Sequence, residues 1–156
     1  MQLLYAVSKK GINKYNHLNN NNRDSKGGIM DFPKGLKYNS EHIWVKVTGD
    51  NALIGVTDYA QDQLGDIIYV DLPEAGYELE QNESFGTIES AKSVSELYAP
   101  VSGHVISVND SLKDEPELVN EEPYDAGWLL KVKLTNEDEL NDLMDQAAYE
   151  EYLKNS

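Results

Sequence analysis

Lys92 is the residue on which chemistry can rest. It is the only Lys or Arg between Lys46 and Lys113, in a stretch rich in carboxylates. Residues 85–105 read FGTIESAKSVSELYAPVSGHV. Two strand-prone runs there, 85–89 and 94–98, flank Ser90-Ala91-Lys92-Ser93. Small polar residues between β-prone runs mark a tight reversal. A hairpin tip holds its side chain away from the body, so Lys92 is expected to be a displayed amine suited to covalent modification.

Most turn lysines are only solvated surface charges. Three features argue for more here. The flanking residues are small, so a second protein can approach the amine. Glu89 stands just before the tip. After the second run, Ala99-Pro100-Val101-Ser102-Gly103 turns the chain again, and residues 104–108 alternate as a further strand. Strand, turn, strand, Pro/Gly corner, strand is a compact β unit.

These residues resemble the lipoyl-attachment hairpin of the glycine cleavage system H proteins. The likeness is carried by Glu89-Ser90-Ala91-Lys92-Ser93 and by Tyr98-Ala99-Pro100-Val101-Ser102-Gly103. Further motifs agree in order. They are Gly35-Leu36-Lys37-Tyr38, His42-Ile43-Trp44-Val45, Ile54-Gly55-Val56-Thr57-Asp58-Tyr59-Ala60-Gln61, Gln63-Leu64-Gly65-Asp66, Tyr69-Val70-Asp71-Leu72-Pro73 and Gly127-Trp128-Leu129. The resemblance spans about residues 30–153.

The resemblance implies a mainly β fold, a hybrid barrel-sandwich of the lipoyl-domain kind with the lysine hairpin at one end. It implies lipoate joined to Lys92, with Glu89, Ser90, Ser93 and Gly103 as attachment-site residues. It implies an arm-docking groove near Glu41, Gln63 and Glu96. The implied role is a non-catalytic carrier. A pyridoxal-phosphate-dependent glycine decarboxylase loads an aminomethyl group, a tetrahydrofolate-dependent aminomethyltransferase removes it, and dihydrolipoyl dehydrogenase reoxidises the arm. A lipoate ligase or a lipoyl/octanoyl transferase would install the cofactor. Two positions depart from the family pattern: Ile43 stands where many members have Glu, and Ala91 where valine is usual. The alternative role is an H-like protein that relays lipoate to other lipoyl-dependent enzymes. Asp-Lys-Ala, usual in the lipoyl domains of 2-oxo acid dehydrogenases, and Met-Lys-Met of biotin carriers are both absent.

Composition sets the outer bounds. At 156 residues the chain is one domain by length and can bury a sizeable core. It has no cysteine, so no disulfide, zinc–thiolate site or cysteine nucleophile is available. The net charge of −15 opposes nucleic acid, whose binding needs Lys and Arg against phosphates, and favours partners with basic faces. No apolar run is long enough to span a bilayer. Residues 1–29 hold Lys9, Lys10, Lys14, Arg23 and Lys26 against Asp24, with an Asn19-Asn20-Asn21-Asn22 tract. They are expected to be a disordered extension ahead of a carrier domain at 30–156, with Met30 a plausible alternative start. The expected location is the bacterial cytoplasm, or the mitochondrial matrix if residues 1–29 act as a presequence.

The elements that must position Lys92 are mostly strands. Residues 43–47 and 52–56 form a hairpin across Gly49-Asp50-Asn51. Thr57 caps a short helix running to Leu64, and Gly65 ends it. Residues 67–72 make the next strand, residues 77–80 a short edge strand, and residues 127–134 the last strand. Residues 109–119 read as a long connection. A single C-terminal helix is expected after Thr135 or Asn136, with Leu140, Leu143, Met144 and Ala147 as its apolar stripe.

Other chemistry lacks a pattern. His42 and His104 are far apart and read as partly buried or surface residues. The acids at 110–125 lack calcium-loop spacing and read as a solvated face. No glycine run cradles phosphate, and no nucleophile elbow is present. Trp44 and Trp128 read as core anchors.

Overall fold

The computed structural model describes residues 30–155. The expected extension at 1–29 lies outside the described residues. Among the described residues nine strands form two antiparallel sheets. They are β1 (Lys37–Tyr38), β2 (Ile43–Thr48), β3 (Asn51–Val56), β4 (Ile67–Asp71), β5 (Glu78–Leu79), β6 (Ser84–Ser90), β7 (Val94–Tyr98), β8 (Gly103–Val108) and β9 (Leu130–Leu134). One sheet has the order β1-β2-β3-β9-β8-β5 and the other β4-β6-β7. β5 lies at an edge, as its short run suggests.

The sheets close on one apolar core. Ile54, Val56, Val105, Leu130 and Val132 come from the larger sheet, and Ile67, Val70, Ile88 and Leu97 from the smaller; all are buried. Each such side chain contributes roughly 1.5–3 kcal/mol by leaving water. Trp44 is fully buried, and its indole N–H donates to the Pro123 carbonyl at 3.0 Å. Trp128 is only half-buried, so of the two tryptophans only Trp44 is a full core anchor.

The helix α1 (Asp58–Leu64) begins and ends where its sequence directs. The Thr57 hydroxyl accepts from Ala60 N–H, which satisfies a first-turn amide. Gly65 closes it with φ 84°, and its N–H donates to Gln61 O at 3.1 Å. That φ favours glycine over any residue with a Cβ.

Three expectations need correction. The connection after β8 is not irregular throughout: it contains α2 (Ser111–Asp114) and α3 (Leu118–Glu121). The last strand begins at Leu130, since Gly127 and Trp128 still belong to the covering segment. The tail is two elements, a 3-10 turn (Glu137–Asp142) capped by Asn136 and then α4 (Gln146–Lys154) capped by Asp145. Between them Leu143 is extended, and Met144 exchanges two 2.8 Å backbone bonds with Tyr38. That bridge stops the first turn and sets a new helix phase. The buried stripe of α4 is therefore Tyr149 and Leu153, and Ala147 is exposed. Among the described residues no helix is long and apolar enough to cross a membrane.

Candidate functional site

The β6–β7 hairpin carries Lys92 at its tip, and its register pairs Glu89 with Val94. Ser90 fixes the turn. Its N–H donates to Ser93 O at 2.8 Å, and its hydroxyl accepts from the N–H groups of Lys92 (3.3 Å) and Ser93 (3.2 Å). Ser90 is buried, whereas Ala91, Lys92, Ser93 and Val94 are exposed. A short polar side chain thus ties down the backbone and leaves the lysine exposed.

Lys92 leans toward the end of α1. A Cβ placed on Gly65 would lie 3.5 Å from Lys92 Cε and 3.8 Å from Nζ. The bare glycine is a cradle that a side chain would partly fill. Its carbonyl accepts from Asn120 Nδ2 at 2.8 Å, and Asn120 also donates to Gln61 Oε1 at 2.9 Å. Ile67 N–H donates to Asn120 Oδ1 at 2.9 Å. Gln61 Nε2 in turn donates to Asp58 Oδ1 at 2.8 Å. Asp58 Oδ2 accepts from Asp31 N–H at 3.0 Å, and Tyr124 accepts from Asp58 N–H while donating to Asp31 O. Burial pushes the Asp58 carboxyl up to about 6. This network pins both ends of the helix under Lys92.

A groove of about 260 Å³ lies beside the hairpin, lined by Glu41, His42, Val94, Ser95, Glu96 and Tyr98. Two carboxylates in one groove favour a cationic occupant. Glu96 also accepts a hydrogen bond from the Ser84 hydroxyl. The expected groove residues Glu41 and Glu96 are therefore brought together. Gln63 is not among the lining residues; it is half-buried on α1. Ile43 is buried in the core on β2, so the position where the family pattern has Glu faces inward here.

Glu89 is half-buried and paired with Val94 and Tyr69 across the small sheet. Gly103 is set apart from the tip. It follows the base of the hairpin and pairs with Leu79 and Leu134. A Cβ there would lie 2.4 Å from the Lys133 carbonyl oxygen, so close strand approach calls for glycine.

Sequence reasoning missed His42, Asn120 and Tyr149 at this site. His42 adopts φ 69° and is buried. Its Nδ1 lies 2.8 Å from the Tyr149 hydroxyl, which also contacts Thr57 Oγ1 at 2.9 Å. Burial pulls the imidazole down to about 4. Asn120 sits in the acid-rich stretch that reads as a solvated face, and no local pattern marks it.

Comparison with known proteins places the chain among relatives of one kind. The Glycine cleavage H-protein family model matches residues 36–156. A Glycine cleavage system H protein from Staphylococcus carnosus (strain TM300) is 54% identical over 124 residues, covering 80% of this chain and 98% of that protein. One from Symbiobacterium thermophilum is 52% identical over 126 residues, covering 81% and 98%. The crystal structure of a glycine cleavage system H protein from Mycobacterium marinum superposes with a TM-score of 0.71 at 35% identity, covering 80% of this chain and 98% of that one.

Proposed function

This chain belongs to the glycine cleavage H-protein family, and from that premise we propose that it carries the aminomethyl group of glycine on a lipoyl arm joined to Lys92. The group is taken from the pyridoxal-phosphate-dependent decarboxylase and delivered to the tetrahydrofolate-dependent aminomethyltransferase. Dihydrolipoyl dehydrogenase restores the arm, and a lipoate ligase or a lipoyl/octanoyl transferase installs it. The family is a carrier subunit that bears lipoate, and its members act as non-enzymes.

One observation carries the reading: an exposed lysine on a turn closed by a buried serine, with a bare glycine beneath its stem. The amine can reach a modifying enzyme, and the stem lies against Gly65. Lipoate, when bound, supplies a disulfide that a nucleophile can open and a sulfur that can hold a one-carbon amine. The chain's residues do the rest. Ser90 holds the tip, Gly65 gives the stem its bed, and Glu41 with Glu96 receives a cationic amine in the groove. The acidic body steers the carrier to basic docking faces. Tethering turns a diffusing cofactor into a local search at high effective concentration.

Glycine–bicarbonate exchange with purified decarboxylase tests this role. The lipoylated chain should support exchange, and Lys92→Arg should not. A fully lipoylated chain giving no exchange would favour the lipoate relay instead.

A further inference from the structure

The hydroxyl of Tyr149 touches two groups, and proton counting decides which way its bonds run. His42 Nδ1 is 2.8 Å away and Thr57 Oγ1 is 2.9 Å away. Thr57 is fully buried, and its oxygen already accepts from Ala60 N–H. Its hydroxyl proton has no acceptor among the described residues other than Tyr149. Were Tyr149 to donate to Thr57, that proton would be stranded in the interior, at a cost of roughly 1–3 kcal/mol. So Thr57 donates to Tyr149, and Tyr149 donates to His42 Nδ1. A neutral imidazole that accepts at Nδ1 carries its hydrogen on Nε2. The structure gives Nε2 no partner among the described residues, and His42 lines the groove with Glu41 and Glu96.

We propose that the Tyr149 hydroxyl fixes neutral His42 as its Nε2–H tautomer, so that the ring offers the groove one N–H donor and no positive charge. Tyr149 is a positioning residue in this account, and the inference rests on the groove receiving the loaded arm. Its effect is on selection. An uncharged wall beside two carboxylates leaves the groove's charge acidic, which suits an arm ending in a cationic amine. The N–H donor meets an acceptor on the arm, a carbonyl or a sulfur. Thr57 N–H donates to the His42 backbone carbonyl at 3.0 Å, which fixes the main chain there, and Tyr59 packs on the imidazole with centroids 5.0 Å apart. Tyr149 is itself stacked on Tyr38 at 4.6 Å, so its hydroxyl is held in a fixed place by α4.

Nitrogen-15 NMR of the histidine rings reads the tautomer directly in the unmodified full chain. Wild type at neutral pH should show His42 with only the Nε2–H signature. Tyr149→Phe keeps the ring stack and removes one oxygen; His42 should shift to a mixed-tautomer signature. An Nδ1–H signature in wild type overturns the proposal without any variant, and so does an unchanged His42 in a folded Tyr149→Phe. A second arm uses lipoylated protein loaded by decarboxylase with glycine. Loading should move the amide signals of Glu41, Val94 and Glu96 in wild type, and move them less in Tyr149→Phe. If loading moves none of them in wild type, the groove does not receive the arm. The proposal then falls, while the carrier role is judged separately by the exchange assay.

Discussion

Lys92 rests against Gly65: a Cβ on the glycine would stand 3.5 Å from Lys92 Cε, ordinary contact and not collision. The glycine is nevertheless costly to replace, because its φ is 84°. Gly65→Ala should lose about 1–2 kcal/mol of stability from backbone strain alone, measured by urea denaturation. Lys92 should still be modified in this variant, since the added methyl does not block the amine. A folded Gly65→Ala protein that resists lipoylation would instead show that the bare glycine governs access.

Ser90 acts on the tip through its hydroxyl, which accepts from two amides. Ser90→Ala should cost about 1 kcal/mol and slow lipoylation several-fold by loosening the turn, while leaving the β6–β7 pairing intact. The check is the initial rate of lipoate attachment by a purified ligase. A rate equal to wild type would mean the turn holds itself.

Gly103 should behave as a folding residue. Its Cβ would fall 2.4 Å from the backbone oxygen of Lys133, which cannot swing away as a side chain could. Gly103→Ala should therefore part β8 from β9 and cost more than about 3 kcal/mol. Circular dichroism and mass spectrometry together separate causes. Poor lipoylation should accompany a lowered melting temperature, and a fully stable yet unmodified variant would contradict this.

Much of the chain was legible in advance. The hairpin, α1 with both its caps, and the sheet-forming runs follow from local signals: small residues at the tip, Thr57 and Gly65 as punctuation, and period-two strands. The C-terminal helix and the packing of Leu140, Leu143 and Met144 on the core are legible, but the helix's start is not, because a spacing of three and four residues cannot register a bridge between Met144 and Tyr38, which are far apart in sequence. The resemblance names Glu41 and Glu96, and the two do line one groove. His42, Asn120 and Tyr149 were not legible, because their roles depend on contacts across the fold, 107 residues apart for His42 and Tyr149. The close approach of β8 to β9 that Gly103 permits is likewise a long-range feature with no local signal.

Two buried groups pull stability in opposite directions in acid. His42 falls to about 4 from an ordinary 6.5 because of burial. Between those values only the unfolded chain takes the proton, so stability drops as pH falls through that window. Asp58 rises to about 6 from an ordinary 3.8, again by burial. Between those values the folded chain holds more proton, so stability grows as pH falls. Each full shift is worth roughly 3 kcal/mol and they nearly cancel. His42→Gln removes the first alone. On going from pH 7 to pH 4.5 it should gain roughly 2 kcal/mol relative to wild type, by urea denaturation at both pH values. Parallel profiles would show that His42 titrates normally.

Every step of the proposed cycle depends on Lys92 bearing the lipoyl arm. Intact mass followed by peptide mapping, on protein from cells competent for lipoylation, tests it most directly. A lipoyl increment is expected on the peptide containing Lys92 and is expected to be absent in Lys92→Arg. An unmodified Lys92 in such cells, or an increment that persists in Lys92→Arg, would contradict it.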